Sequence, residues 1–338
     1  MLNMNRSMLI KIFGFTGLAA LFIAAPPIVS NIYWISVLIL TQIYILMAAS
    51  MRTILLIGHI SLGHIGFMLL GAYGSALLVM KAGFPFCMAL IVAGFLSGLV
   101  GLALGYPFLR VRGIYFAILT LLTSESFRLV AFNWRGMTGG AMGLMGIPSP
   151  DAISIPGLGV IDFSTTEGYY YLTLVVICLS LMVLYRLERS RLGFKWRAIR
   201  EAEKLAQAVG VNVMWYKLVC FAVACFFAGI AGALFAHFQR GLSADASSIF
   251  SVLTSIYLLV YIVVGGENKF AGPIIGAFVL SMTSEFARPL EEFQPMMIGG
   301  LAIVVVMLMP GGILGFLGQI RFWWSKVLKQ ETRQGIKG

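Results

Sequence analysis

The side chains that could carry chemistry in this sequence are few and widely separated. The three histidines, His59, His64 and His237, are scattered over two apolar regions of the chain. The sequence contains no phosphate-binding GxxxxGK[ST] loop, no HExxH motif and no GxSxG motif. No metal-ligand spacing links the cysteines, which all lie in apolar runs and are predicted to be buried, inert thiols: Cys87, Cys178, Cys220 and Cys225. We therefore predict no catalytic residue, no metal site and no cofactor in this chain.

The segment with the clearest binding potential runs from Arg191 to Asn212. Its apolar residues recur at the spacing of one helical face, which predicts an amphipathic helix from Lys195 to Val209 that ends at Gly210. Such a helix can dock on a partner protein, pack on the inner surface of its own chain or lie on anionic lipid. The apolar stripe comprises Ile199, Ala202, Leu205, Ala206 and Val209, and the surrounding charges are Arg197, Arg200, Glu201 and Glu203.

The rest of the chain must place this segment beside a membrane. Apolar residues make up 60% of the sequence and charged residues only 11%, with a mean hydropathy of +0.95. These values exclude a soluble enzyme, a secreted disulfide scaffold and a nucleic-acid-binding protein. Because a spanning helix needs about 20 apolar residues, we predict an all-α, polytopic membrane protein. About ten spans are predicted near residues 9–29, 32–51, 60–80, 85–105, 114–130, 169–185, 217–238, 249–265, 271–288 and 296–317.

The distribution of basic residues predicts the orientation of these spans. With both termini in the cytoplasm, the 24 lysines and arginines fall on the inner side except Lys81, Arg128, Arg135, Arg240 and Arg288. The first run also has the features of a signal peptide, with basic residues before a short apolar core, and we interpret it as a helix. One transmembrane domain covers residues 1–338, with a membrane bundle across 8–320.

Two connections are long enough to act outside the membrane. The inner one, residues 186–216, contains the amphipathic helix and is called the docking segment below. The outer one, residues 131–168, is rich in glycine, proline and serine. Its part from Thr138 to Pro148, called the outer loop below, is predicted to be ordered, and it either covers a pathway, meets a partner protein or caps the chain's own helices.

Polar groups at membrane depth must face protein or water. Glu125 and Arg128 lie one helical turn apart, and we predict a structural ion pair near the outer surface. His64 lies among glycines, which permit close helix approach or a broken helix beside a cavity. His237 is predicted to be solvated at an outer helix end. The glycine-rich stretches from Gly58 to Tyr73 and from Gly265 to Ala277 echo each other, which suggests an inverted repeat.

Several motifs resemble those of one transporter family. The part of the docking segment from Arg197 to Gly210 resembles the cytoplasmic-loop signature of permease subunits of ABC importers. Further segments, in order along residues 50–317, resemble the branched-chain amino acid and urea uptake permeases. They are Ser61-Leu-Gly63-His64 with Gly71-Ala-Tyr73, Gly113-Ile-Tyr115-Phe116-Ala, Thr138-Gly-Gly140-Ala-Met-Gly143, Gly265-Gly266, Ala271-Gly-Pro273, Gly276-Ala277 and Pro310-Gly311-Gly312. The chain departs from the family pattern at His64, where glutamine is usual, and at Glu267-Asn-Lys269, which interrupts the glycine segment.

The resemblance implies a permease subunit of an ATP-driven importer in the inner (plasma) membrane. It implies a second homologous permease chain, identical or different, two ATPase subunits that hold ATP and magnesium, and an extracytoplasmic solute-binding protein. The ATPase-docking residues it implies are Arg197, Ile199, Arg200, Glu201, Ala202, Glu203, Leu205 and Gly210. The pathway-lining residues it implies are Ser61, Gly63, His64, Gly66, Tyr115, Thr138, Gly139 and Gly140.

Two interpretations follow, with different energy sources. The favoured one is an importer subunit for a small polar solute such as a branched-chain amino acid, with urea, short amides and nucleosides left open. The alternative is a stand-alone, ion-coupled secondary transporter or channel. That class needs coupling carboxylates or a histidine relay near the middle of the membrane. Here the only candidates are Glu125 and Glu285, which are both predicted close to the outer boundary.

Overall fold

A computed structural model of the protein describes residues 31–151, 153–155, 159–288, 293–309 and 311–315, and most of these residues are helical. The helices are α1 (Ile32–Leu55), α2 (His64–Ala82), α3 (Phe86–Phe108), α4 (Ile114–Asn133), α5 (Arg135–Thr138), α6 (Thr166–Arg189), α7 (Arg191–Glu201), α8 (Glu203–Ala208), α9 (Val213–Gln239), α10 (Val252–Gly265), α11 (Gly272–Phe286) and α12 (Gln294–Leu308). Side-chain caps begin several helices. Asn31 accepts a hydrogen bond from the Tyr33 backbone N–H, and Asn212 accepts one from that of Trp215.

The strands are short and lie in the outer connections. Strands β1 (Leu144–Met145) and β4 (Gly241–Leu242) pair antiparallel, with Leu144 opposite Leu242. Strands β2 (Ile153–Ile155) and β3 (Gly159–Ile161) form a separate antiparallel hairpin. The β1–β4 pair ties the outer loop after α5 to the end of α9, although about 100 residues separate them in sequence.

Each predicted apolar run from 32–51 onward contains a helix, although the run 60–80 becomes helical only at His64 and the run 249–265 only at Val252. Six helices, α1 to α4, α6 and α9, are long and apolar enough to cross a membrane. Three shorter apolar helices, α10 to α12, occupy the last three predicted runs. The first predicted run, 9–29, lies outside the described residues, as do the two ends of the chain. The prediction of a helical, multi-pass membrane protein is confirmed.

Helices α1, α2 and α9 form the centre of the bundle. Glycines let α2 and α9 touch through their backbones: a Cβ on Gly71 would lie 2.2 Å from the Gly229 carbonyl oxygen, and one on Gly232 would lie 1.9 Å from that of Met68. Close contact of this kind is how small residues hold membrane helices together. The exposed side chains of α3, in contrast, are large and apolar, as at Phe95 and Leu99, and suit a lipid-facing surface.

Contacts between helix ends separate the bundle into two faces. The C-terminal end of α1 meets that of α6, where Arg52 pairs with Glu188. At the opposite face, the Lys81 ammonium at the end of α2 donates to the Gly136 carbonyl oxygen. We call the face that carries the docking segment the inner face and the other the outer face. This alternation of helix ends agrees with the order of spans predicted from the sequence.

The orientation of these faces can be tested by labelling introduced cysteines. Lys204, on the docking segment, and Met142, on the outer loop, are both exposed. We expect a membrane-impermeant maleimide to label Met142→Cys but not Lys204→Cys in intact cells, in a background that lacks Cys87 and Cys178. After the membrane is permeabilised, both positions should react. Labelling of position 204 before permeabilisation would contradict the predicted orientation.

Candidate functional site

The connection between α1 and α2 is not helical, although most of it is buried. Residues 56–63 form turns, with Gly58 at φ +77°. The Leu62 backbone N–H donates to the Thr120 hydroxyl on α4 at 3.1 Å. A Cβ on Gly63 would lie 1.9 Å from the Thr120 carbonyl oxygen, so a larger residue at position 63 would clash with backbone. A side chain of α4 thus accepts from one backbone N–H of the broken segment, the kind of partner that buried irregular backbone in a membrane requires.

His64 begins α2 and is fully buried. Its Nε2 lies 2.7 Å from the Ser50 hydroxyl, which also donates to the Met47 carbonyl oxygen. Since a serine has a single hydroxyl proton, Ser50 accepts from His64, which places the imidazole proton on Nε2. His64 Nδ1 and the Ser61 hydroxyl have no hydrogen-bond partner among the described residues. The segment therefore keeps two unused polar groups in its interior.

His59 lies in the same connection. Its Nδ1 is 3.1 Å from the Ile57 carbonyl oxygen, and its ring meets Phe116 edge to face. Burial lowers the pKa of His59, and the positive charge of Lys217 lowers this pKa further. The neutral imidazole is therefore the favoured form, and it forms part of the packing between the connection and the start of α4.

The structure divides the predicted pathway-lining residues among three places. Ser61, Gly63, His64 and Gly66 lie together, and a Cβ on Gly66 would approach Ser124 Cα to 2.7 Å. Tyr115 is exposed on the surface at the inner end of α4. The remaining three residues, Thr138, Gly139 and Gly140, lie in the outer loop. The first group is a tightly packed helix crossing, and its pathway role stays a prediction.

The outer loop is ordered and tied to the helices beneath it. The Thr138 hydroxyl lies 2.5 Å from the Ala131 carbonyl oxygen and 2.7 Å from that of Trp134. Gly143 has φ +72°, and a Cβ there would lie 2.0 Å from the Leu242 carbonyl oxygen. Ile147 is buried under the loop, whereas Met142 is 86% exposed. One side of the loop therefore caps the chain's own helices, and the other presents apolar side chains.

Two predictions about single side chains are wrong. His237 is buried rather than solvated: its Nε2 lies 2.9 Å from the Ser75 hydroxyl and its Nδ1 lies 2.8 Å from the Pro148 carbonyl oxygen. Cys87, at the outer start of α3, is exposed and Cys178 is half-buried, while Cys220 and Cys225 are buried as predicted. No group of three or more histidine, cysteine, aspartate or glutamate residues comes together within the described residues.

Sequence reasoning missed a cavity of about 640 Å³ in the outer half of the bundle. It lies between the outer halves of α1, α10 and α11 and the connection from α9 to α10. Its wall combines aliphatic and aromatic side chains with hydroxyl groups and one carboxylate. Polar lining residues include Thr41, Tyr44, Gln239, Ser243, Ser247, Ser248, Ser251, Thr254, Tyr257, Tyr261, Ser281, Ser284 and Glu285. The cluster of serines from 243 to 251 is the sequence signal that could have indicated it.

The predicted ion pair beside this region is confirmed. The Arg128 guanidinium contacts the Glu125 carboxylate through Nε at 2.9 Å and through Nη2 at 2.5 Å. The Arg128 Nη1 also donates to the Ala244 carbonyl oxygen at 2.7 Å. The pair therefore holds α4 against the connection from α9 to α10, which supports a structural role.

The docking segment contains two helices instead of the single helix predicted from Lys195 to Val209. The break falls at Ala202, which has φ −150° and separates α7 from α8. Glu203 pairs with the buried ammonium of Lys217 on α9 at 3.0 Å and with the Arg112 guanidinium at 3.3 Å. Gly210 follows the end of α8 in the left-handed region at φ +85°, so the helical stretch stops there as predicted. Helix α8 is therefore held against its own chain by the ion pair of Glu203 and Lys217. The periodicity of the sequence cannot reveal such a contact.

The two faces of the docking segment differ in their surroundings. Ile199 and Ala206, from the predicted stripe, are buried against Val213 of the same chain. Leu205 is 65% exposed, Val209 is 73% exposed, and Ala202 is also exposed. The predicted stripe thus divides into an inward half and an outward half. We call the outward pair, Leu205 and Val209, the exposed apolar pair.

Charged residues of the docking segment also divide between two directions. Arg200 pairs with Glu267 at 2.9 Å, and the Arg197 guanidinium donates to the Glu188 carbonyl oxygen at 2.9 Å. Glu201 and Lys204 are exposed and make no ion pair among the described residues. Several residues assigned to ATPase docking therefore hold the segment on its own bundle, and the docking role of the set stays a prediction.

The family comparisons agree with this architecture. The model of the family described as "Branched-chain amino acid transport system / permease component" matches residues 33–310. The high-affinity branched-chain amino acid transport system permease protein LivM of Escherichia coli is 33% identical over 321 residues, which cover 88% of this chain and 73% of LivM. The corresponding permease protein LivH of Escherichia coli is 23% identical over 279 residues, 77% of this chain and 87% of LivH. No solved structure shows significant similarity to the chain.

Proposed function

This chain belongs to the family of branched-chain amino acid transport system permease components, and we propose that it is the membrane-spanning subunit of an ATP-driven importer for branched-chain amino acids. The observation that carries the proposal is the match over residues 33–310, which includes the outer loop, the docking segment and both glycine-rich stretches. The family also favours an importer over a stand-alone, ion-coupled transporter. The chain itself would hydrolyse no ATP, because the ATP and magnesium would be held by partner chains.

The exposed surfaces of the chain support the partners that we propose for it. Two ATPase subunits would bind at the inner face, one of them on the exposed apolar pair of the docking segment. An extracytoplasmic binding protein would meet the outer loop, where Met142 and Met145 are both largely exposed. A second permease chain would complete the pathway. The relatives include both LivM and LivH, which supports a pair of related permeases in the inner membrane.

The outer cavity is the proposed receiving site for the solute. A branched-chain amino acid carries an ammonium group, a carboxylate and an aliphatic side chain. The cavity offers the Glu285 carboxylate, many hydroxyl groups and aliphatic residues such as Val37 and Leu40. The packed crossing formed by Ser61, Gly63, His64 and Gly66 would close the inner half in this conformation. Alternating access would then require these contacts to open as the outer cavity closes.

The proposal can be tested with the purified assembly in proteoliposomes. We expect the permease pair, the ATPase subunits and the binding protein to hydrolyse ATP faster when leucine, isoleucine or valine is supplied. Uptake of the same amino acid should require ATP on the side of the membrane where the ATPase subunits lie. Urea, a short amide and a nucleoside serve as comparison solutes. Uptake by the permease alone, driven by an ion gradient, would contradict the importer assignment.

A further inference from the structure

Arg200, at the end of α7, lies beside two breaks in the helices of the membrane bundle. Its Nη2 donates to the Glu267 carboxylate at 2.9 Å, in the turn that joins α10 and α11. Its aliphatic stem lies over Gly58, where an added Cβ would be 3.5 Å from Arg200 Cγ. Gly58 belongs to the broken connection that leads into α2. One side chain of the docking segment therefore pairs with the turn that precedes α11 and lies beside the connection that precedes α2.

The turn that carries Glu267 is held firmly from several sides. Arg52 Nε donates to the Glu267 carbonyl oxygen at 2.8 Å, and Lys269 Nζ donates to the Leu314 carbonyl oxygen at 2.9 Å. Gly266, at φ +102°, packs on Gly312, where a Cβ would lie 2.4 Å from the Gly266 nitrogen. A force applied at the Glu267 carboxylate would therefore move the turn together with the ends of α10 and α11.

The Glu267–Arg200 pair is not required to hold the fold. Both side chains are more than one-third exposed, and pairs of this kind add little to stability because water screens them. The buried pair of Arg52 and Glu188 already fixes the same corner of the bundle.

We propose that Arg200 is a positioning residue which, through Glu267 and Gly58, transmits movement of the docking segment to the inner ends of α2 and α11. The inference rests on the proposed function, because the movement would come from ATPase subunits bound to the docking segment. Displacement of α7 would then act on both glycine-containing breaks together. Arg200 would then couple ATP hydrolysis to movement of the pathway. Its position in the sequence suggests instead a direct contact with the ATPase.

The test uses charge reversal at both positions in the complete assembly. Arg200→Glu and Glu267→Arg alone are each expected to reduce amino acid uptake per ATP hydrolysed by about fivefold, the lower end of typical coupling effects. Both variants should copurify with the wild-type amount of ATPase and keep the wild-type melting temperature. The double variant, R200E/E267R, should recover at least half of the lost uptake. Arg191→Glu, an exposed reversal on the same helix without an ion pair among the described residues, is the matched control and should leave uptake unchanged.

The outcomes separate the inference from the proposed function. Wild-type uptake by both single variants would overturn the inference while the importer assignment stands. Loss of ATPase from Arg200→Glu, without recovery in the double variant, would also overturn it, because Arg200 would then be a direct docking contact. Absence of amino-acid-stimulated ATPase activity in the wild-type assembly would instead contradict the proposed function itself.

Discussion

A Leu205→Asp variant is expected to insert and fold normally but to copurify with little ATPase. Leu205 is 65% exposed on α8, and Val209 lies one helical turn further along, so the pair offers an apolar contact that the chain leaves uncovered. An aspartate there would bring an unpaired carboxylate into a desolvated interface. A loss of about 2 kcal/mol, the threshold for a dominant interface residue, corresponds to roughly thirtyfold weaker binding. Affinity purification of the coexpressed subunits measures the ATPase ratio directly.

The matched control for this variant is Gln207→Asp. Gln207 is exposed on the same short helix, so the substitution adds the same charge beside the exposed apolar pair. We expect it to retain most of the ATPase, since charges at the rim of an interface mainly affect orientation and association rate. If Leu205→Asp keeps the full ATPase complement, the exposed apolar pair faces lipid and the segment is a membrane anchor.

The helices were predictable because each is specified by a local pattern. A run of apolar residues about 20 long can satisfy its backbone in a membrane only as a helix, whatever its neighbours are. The ends were also readable: Gly210 takes φ +85° where the helical pattern stops, and Asn212 caps α9. The ion pair of Glu125 and Arg128 was likewise accessible, because the two residues are neighbours on one helix.

The break in the docking segment could not be predicted in the same way. Ala202 has the best intrinsic helix propensity, and nothing in its neighbourhood signals an end. Helix α8 changes direction because Glu203 binds Lys217 and Arg112, and because Ile199 and Ala206 pack together on Val213. Lys217 and Val213 lie on α9, beyond the end of the helical pattern, and Arg112 belongs to a different part of the chain. The periodic apolar stripe of the docking segment therefore showed which residues lie on one helical face. It did not show which of them are buried against the same chain.

The burial of His237 and the outer cavity could not be predicted either, because both depend on residues from separate parts of the chain. His237 is enclosed by Ser75 and Pro148, which are 162 and 89 residues away, so its position near a helix end suggested water. The cavity is lined by residues of five helices, α1 and α9 to α12, and of the connection from α9 to α10, none of which lines it alone. The candidate pathway residues came from family motifs, and motifs do not state whether a glycine faces a pathway or a neighbouring backbone. At Gly63 and Gly66 the observed neighbours are Thr120 and Ser124.

A Glu188→Ala variant is expected to be much less stable than the wild type, because the inner face of the bundle loses a buried ion pair. The Glu188 carboxylate accepts from both terminal nitrogens of Arg52, at 2.7 and 3.1 Å, and the Arg52 side chain is only 3% exposed. Removal of the carboxylate leaves a buried guanidinium with the Glu267 carbonyl oxygen as its remaining described acceptor. Breaking a buried pair in this way costs about 3–5 kcal/mol. The melting temperature of the detergent-purified protein, measured by size-exclusion after heating, should fall by many degrees.

The cause of that loss can be isolated with two further variants. Replacing both partners with apolar residues, Arg52→Met with Glu188→Leu, removes the unpaired charge, and this double variant should be more stable than Glu188→Ala. Glu285→Ala breaks the outer pair with Arg288, whose side chain is 59% exposed, and should cost at most about 1 kcal/mol. If Glu188→Ala has the same melting temperature as the wild type, water reaches Arg52 in the assembled membrane domain. The inner corner would then be a solvated junction, and the Glu267 turn would have to be held by the hydrogen bond from Lys269 to Leu314 and by the glycine contacts with Gly311 and Gly312.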